Sequence, residues 1–292
     1  MKTGVVFPQT EIGAEAARVK AFAQAAEGLG YQHLLAYDHV LGASTKSRPD
    51  FAGPYTSESM FHEVFVLFGY LAGVTERIEF VTGVLILPQR QTVLVAKQAA
   101  EVDRLSNGRL RLGIGVGWNQ VEYEGLNENF HDRGKRSEEQ IALMRALWTQ
   151  DVIEFDGRWH KVREAGINPS PVQRPIPVWI GGYVPATMER IGRIGDGWFP
   201  SSQPGEIPTD QVHSDLGLIC DAAHAAGRNP KEIGVEARIS LSKIARDQWA
   251  PATEAWRRAG ATHLSLITMG SGLDIDAQID QLRDYRETVG LD

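Results

Sequence analysis

With Cys220 as its only cysteine, the sequence can close no internal disulfide and build no cysteine-rich zinc cluster, and a reducing compartment suits that usage. Long apolar runs are missing as well. No stretch of about eighteen consecutive apolar residues occurs, so no membrane-spanning helix and no membrane partner are expected. Met1-Lys-Thr3 leads straight into Gly4-Val-Val-Phe-Pro8, too short for a secretory apolar region, and a soluble cytoplasmic protein is the expectation. Positive charge is scarce: 30 Lys and Arg against 37 Asp and Glu leave a formal net charge of −7. That lacks the basic footprint needed to follow a phosphate backbone, so nucleic acid is not an expected partner. A small anionic molecule can still be held by local glycines and arginines.

Several motifs are absent too. The eight histidines show no H-x-H or H-E-x-x-H spacing, and no metal is expected. No G-x-S-x-G elbow occurs, and the dinucleotide fingerprint G-x-G-x-x-G fails at Trp118 or Gln120, depending on which glycine starts the count.

What is present is a core-forming chain of 292 residues, 42% hydrophobic and 23% charged. In Leu110-Arg-Leu-Gly-Ile-Gly-Val-Gly-Trp-Asn119, Gly113, Gly115 and Gly117 alternate along a short apolar run. This reads as a buried strand whose far end a flat ligand, another backbone or bulky neighbours approach closely. Around it, strand-like apolar runs alternate with helix-period stretches. The strands fall near Thr3–Phe7, Leu34–Tyr37, Ile78–Leu87, the glycine run, Val178–Ile180, Gly197–Phe199, Val235–Leu241 and His263–Ile267. Eight such alternations predict an α/β fold, a (β/α)8 TIM barrel spanning residues 1–292 as one domain, with an open doubly wound sheet as the alternative. Residues 150–175, broken by Gly157, Pro169, Pro171 and Pro175, read as an insertion over the barrel mouth. Ser137 and Gln140 are spaced as a capping box opening a helix over Ser137–Trp148. A polar loop at about residues 42–57 is long enough to be functional.

In a barrel the site lies at the C-terminal strand ends. These carry Phe7-Pro8-Gln9, Asp38-His39, Thr82-Gly83-Val84, Gly115 to Asn119, Gly181-Gly182-Tyr183, Trp198 to Ser202 and Ser265 to Met269. Glycines and large flat side chains suit a planar ring better than hydrolysis. Asp38-His39 is either a pair in which Asp38 orients His39 as acid or base, or a buried pair in which Asp38 satisfies the imidazole. Gly181-Gly182 before a helix is either a phosphate cradle or a plain βα turn.

Taken together, Tyr37-Asp-His-Val40, Thr82-Gly-Val-Leu85, Gly113-x-Gly-Val-Gly-Trp-Asn119, Phe130-x-x-Arg-Gly-Lys-Arg136, Trp179-Ile-Gly-Gly182 and Asp196-Gly-Trp-Phe-Pro200 resemble the luciferase-like monooxygenase superfamily. Within it they look most like the branch using the deazaflavin coenzyme F420. The resemblance covers nearly the whole chain. It implies a deazaflavin or flavin at the barrel mouth, against a third-strand bulge whose cis peptide maps onto Gly83–Val84. It places Asn119 near the ring and Gly181-Gly182 near the cofactor phosphate, with Gly115, Val116 and Trp198 among the cofactor-binding residues and Asp38 and His39 as the catalytic pair. One departure stands out: aligned on Asn119, Val116 occupies the position where some deazaflavin dehydrogenases carry a catalytic Glu.

The resulting expectation is a hydride-transferring oxidoreductase using coenzyme F420 and a small organic substrate. The alternatives are a reduced-FMN monooxygenase of the luciferase or alkanesulfonate type, or a non-catalytic flavin-binding protein. A homodimer through helices two and three is expected from the apolar segments Phe61–Ala72 and Val93–Ala100 and from the dimers common in the superfamily.

Overall fold

A computed structural model describes residues 1–200 and 207–291; Ser201 and Ser202, counted above at a strand end, lie outside the described residues. The chain begins with β1 (Lys2–Val6), α1 (Ala16–Gly28), β2 (His33–Ala36) and α2 (Val64–Ala72). In α1 the buried residues Val19, Phe22, Ala23 and Ala26 recur three or four apart and form the one apolar stripe that a helix on a barrel needs. The third barrel strand comes in two pieces, β3 (Glu79–Thr82) and β4 (Leu85–Ile86), followed by α3 (Thr92–Leu105) and β5 (Leu110–Gly115). Next come α4 (Gln120–Gly125), α5 (Arg133–Thr149), the hairpin β6 (Ile153–Asp156) and β7 (Lys161–Ala165), β8 (Val178–Gly181) and α6 (Pro185–Ile194). The remainder is β9 (Gly197–Phe199), α7 (Asp210–Ala225), β10 (Gly234–Ser240), α8 (Trp249–Arg258), β11 (His263–Ile267) and α9 (Ile275–Val289).

The barrel is closed and all parallel. Its strands run β3, β2, β1, β11, β10, β9, β8, β5, and the ring shuts because Phe80 of β3 pairs with Leu110 of β5 while Leu85 of β4 pairs with Ile114. Side chains alternate in and out along each strand. At the lower end the interior carries a polar plug: Glu236 accepts from His33 Nε2 at 2.8 Å and from Ser265 Oγ, and pairs with the Arg111 guanidinium, which lies over the Trp179 ring. Burial alone would raise the Glu236 carboxyl, but Arg111 and His33 hold it far below the usual carboxylate range. Above the plug lies an apolar layer of Val6, Leu35, Val81, Trp179, Phe199 and Ile267.

Two local expectations are corrected. The insertion does not cover the mouth: β6 and β7 lie along the outer faces of α3 and α5, with His160 bonded to Glu139 and Thr92, and Trp159 Nε1 donating to Asp132. The turn between the two strands makes these contacts, its Arg158, Trp159 and His160 N–H groups all donating to the Glu139 carboxylate. Ser137 and Gln140 form no capping box, because α5 starts a turn earlier, at Arg133. Gln140 is buried mid-helix and donates to the Leu87 and Arg90 carbonyls and to Thr92 Oγ1.

Candidate active site

The peptide between Gly83 and Val84 is cis, and it separates β3 from β4 as a bulge facing the mouth. The alternating glycines of β5 make room for this bulge rather than for a ligand directly. A Cβ on Gly113 would fall 1.9 Å from the Thr82 carbonyl oxygen, and one on Gly115 would fall 2.5 Å from Val84 Cγ2. Gly181 on β8 serves the other side of the same valine, with its Cβ position 3.0 Å from Val84 Cγ1. Two strands, β5 and β8, therefore hold the Val84 side chain between them.

Asp38 secures the bulge from below. Its carboxylate accepts from the Ile86 N–H at 3.0 Å and from Arg90 Nη2 at 2.7 Å, while Arg90 Nη1 reaches Glu63 at 2.8 Å. Burial pushes the Asp38 carboxyl upward, with Arg90 pulling the other way. The expectation that Asp38 orients His39 is thereby corrected: its oxygens are turned to β4 and Arg90, because adjacent residues at a strand end point to opposite sides.

The partner of His39 is Glu122. Its Oε1 accepts from His39 Nδ1 at 3.1 Å and from the Val40 N–H at 2.9 Å, and its Oε2 accepts from Gln89 Nε2 at 3.3 Å. Burial of this carboxyl works against ionisation, yet the bonds from His39, Gln89 and Val40 outweigh it and lower its pKa. An ionised carboxylate only accepts, so His39 Nδ1 is the donor in this bond, and among the described residues Nε2 has no hydrogen-bond partner. His39 is 12% exposed against 1% for Glu122, so the pair has one face toward the mouth and one sealed. The rings of Phe61, Tyr55 and Trp118 stand 4.8, 5.0 and 5.9 Å from the His39 ring.

Asn119 brings Glu122 into position. It caps α4, its side chain accepting from the Val121 N–H at 3.1 Å, and three residues on, Glu122 points back under His39. Val116 lends its carbonyl to Tyr123 Oη at 2.7 Å, which ties α4 to β5. Trp198 is buried and donates to the Gly182 carbonyl at 3.1 Å, fixing the Gly181-Gly182 turn where α6 begins. At Gly182 φ is +154° and a Cβ would fall 2.7 Å from Thr187, so only glycine fits this close approach.

The residues present fit a planar cofactor. Tyr37, Val84 and Met269, each just beyond a strand end, pack part-exposed on the apolar interior layer and make an apolar floor. The backbone of Gly181-Gly182 at the start of α6 is the kind of place where a phosphate is held. Over the mouth runs the polar loop: Ala43 bridges to Thr56, Phe51 packs on Trp118, and Gly53 approaches that indole so closely that a Cβ would fall 2.3 Å from it. Among the described residues no group of three or more His, Cys, Asp and Glu stands together as a metal site, and no helix is long and apolar enough to cross a membrane.

Sequence reasoning brought Asp38, His39, Gly83, Val84, Gly115, Val116, Asn119, Gly181, Gly182 and Trp198 to the upper end of one barrel, and the structure places them there. It missed Glu122 and Arg90, and it counted Trp118 at a strand end without giving it a role. Glu122 carried a signal, since an Asn cap at a strand end turns the first helical residues back over the mouth.

The profile of the luciferase-like monooxygenase family matches residues 1–288. An uncharacterised protein of Mycobacterium tuberculosis is 36% identical over 181 residues, which are 60% of this chain and 62% of that protein, so the match spans under two thirds of the relative. An FMNH2-dependent dimethylsulfone monooxygenase of Pseudomonas putida is 29% identical over 232 residues, 78% of this chain and 58% of that protein. The solved F420-dependent secondary alcohol dehydrogenase, in complex with an F420-acetone adduct, superposes with a TM-score of 0.77 at 17% identity, covering 99% of each chain. That likeness concerns the fold.

Proposed function

Because the chain belongs to the luciferase-like monooxygenase family, we propose that it is an oxidoreductase moving a hydride between the deazaflavin coenzyme F420 and a small organic substrate. The observation that carries this reading is His39 at the mouth, its Nδ1 engaged by Glu122, its Nε2 without a partner among the described residues, and its ring among those of Phe61, Tyr55 and Trp118. When bound, the cofactor supplies the hydride chemistry. The chain supplies everything else. Val84 would support the ring, with Gly83, Gly115 and Val116 shaping the bulge beneath it and Asn119 beside it. The Gly181-Gly182 backbone, held by Trp198, would take the phosphate. His39 Nε2 would give or take the proton that accompanies hydride transfer, and Glu122 would stabilise the ring when it is charged. The loop over Trp118 would exclude water from the substrate.

The preference for the deazaflavin rests on Tyr37-Asp-His-Val40, which resembles that branch. A second reading, a reduced-FMN monooxygenase, is favoured by the sequence likeness to the dimethylsulfone monooxygenase. The two part at oxygen. Protein purified from a host that makes both cofactors should carry a deazaflavin absorption spectrum and consume little oxygen when reduced; a bound flavin with rapid oxygen uptake would favour the second reading.

The same reading includes a homodimer. On α2, Val66 is 71% exposed and Tyr70 lies beside it, and α3 adds Val93 and Leu94. A second copy laid across these helices would cover that apolar face.

A further inference from the structure

Among the described residues the most deeply buried arginines face carboxylates. Arg111 pairs with Glu236, Arg136 with Glu128 at 2.7 Å and Arg190 with Glu138 at 3.0 Å. Among the described residues half-buried Arg238 has no such partner, and neither do Arg109 and Arg133, but the Arg109 guanidinium donates to the Ala72, Thr75, Ile78 and Ser106 carbonyls and Arg133 lies over the Phe130 ring. Arg238 sits on β10 two residues beyond Glu236, and Glu236 points into the barrel because it bonds His33 of β2 and Arg111 of β5, strands that are not its neighbours. Side chains two apart share a face, so Arg238 also points inward, roughly 7 Å nearer the mouth.

There, among the described residues, Arg238 makes one hydrogen bond, from Nη2 to the Pro200 carbonyl at 3.0 Å, and its buried Nε has no partner. Among the described residues no carboxylate lies within ion-pair distance of it. A half-buried guanidinium whose five N–H groups meet one acceptor among the described residues is suited to an anion that accepts from several of them. Its surroundings adjoin the reaction site: its charge and the opposing charge of Glu11 both act on the half-buried Tyr55 hydroxyl, and the Tyr55 ring lies 5.0 Å from His39.

We propose that Arg238 is the receptor for an anionic group on the substrate, a carboxylate or sulfonate, held so that the rest of a small molecule lies toward His39 and Tyr55. This rests on the oxidoreductase reading for what happens next, but not for the binding itself. The turn assigned to the cofactor phosphate, Gly181-Gly182, belongs to β8, with β9 between it and β10, so one anion does not occupy both places. A planar guanidinium also suits the two oxygens of a carboxylate or sulfonate, which it can grip bidentately.

The test uses trifluoroacetate as the anionic probe and trifluoroethanol as its neutral counterpart, followed by 19F NMR line broadening on the full-length protein with and without added cofactor. Trifluoroacetate should bind the wild type, and Arg238→Met should weaken it by about 10- to 100-fold, the range of a lost charge-assisted contact. Arg238→Lys should recover part of that affinity, so a poorly folding Met variant leaves the comparison intact. Trifluoroethanol should not distinguish the three. Equal trifluoroacetate binding by wild type and Arg238→Met, or binding by neither, would overturn the assignment. So would a tenfold loss of cofactor affinity in Arg238→Met with the probe unaffected, since the guanidinium would then serve the cofactor. Failure of both cofactors to bind would sink the oxidoreductase reading instead, while the measurement without cofactor would still decide the role of Arg238.

Discussion

Replacing Glu122 by Gln should separate its charge from its packing. The carboxylate accepts from three buried or half-buried donors: His39 Nδ1, the Val40 N–H and Gln89 Nε2. Glutamine keeps one oxygen for His39 and Val40. Its new amide N–H can meet Gln89 Oε1, which is buried without a partner in the wild type. Stability should therefore change by less than about 1 kcal/mol. What disappears is the negative charge facing His39, and a charge-assisted hydrogen bond exceeds a neutral one by about 1–1.5 kcal/mol, so kcat should fall roughly 5- to 15-fold. Glu122→Ala strands all three donors and should cost about 2–4 kcal/mol, a drop of roughly 4–8 °C in Tm. The assay is kcat and thermal melting on both variants, together with His39→Ala and the His39→Ala/Glu122→Gln double variant. If Glu122 acts through His39, the double variant loses no more than His39→Ala alone. Wild-type turnover in Glu122→Gln, or losses that simply add, would refute the reasoning.

His39→Ala should lower kcat by about 10²–10⁴ while leaving cofactor affinity within a few-fold, as single-variant kinetics and titration would show. Weakened cofactor binding with unchanged kcat would instead make His39 a ring contact. Gly115→Ala pushes a methyl group into Val84, 2.5 Å away, and should destabilise the fold by about 1–3 kcal/mol and weaken cofactor binding; unchanged binding would separate Val84 from the ring. Burial, with Arg111 adding to it, lowers the His263 pKa from 6.5 to about 3. The unfolded chain therefore binds the extra proton between those values, and the stability this imidazole contributes is present above pH 6.5 and lost as the pH falls toward 3. His263→Asn should flatten the urea midpoint across that window, and an unchanged slope would contradict the assignment. Val66→Glu with Leu94→Glu should turn a sedimenting dimer into a monomer, whereas a wild-type protein that sediments as one chain would dismiss the dimer.

The barrel was legible because strand and helix alternate with clear periodicity, and the mouth residues were legible because parallel strands end where their polar residues begin. Partnership was not. Asp38 and His39 are neighbours in sequence, yet the pleat turns Asp38 to Ile86 and Arg90 while His39 meets Glu122, 83 positions away. The glycines of β5 pointed to close approach, but only the packed structure shows that Thr82 and Val84 are what approaches. Prolines and glycines marked residues 150–175 as an insertion without saying which face it covers, since that depends on the acceptors offered by α3 and α5. Arg238 looked like any strand residue until the inward register of Glu236 fixed its direction.

Calorimetry with both cofactors tests the central claim most directly. Purified protein should bind coenzyme F420 at micromolar affinity or tighter and bind FMN at least tenfold more weakly; tight FMN binding with no heat from the deazaflavin would contradict the account.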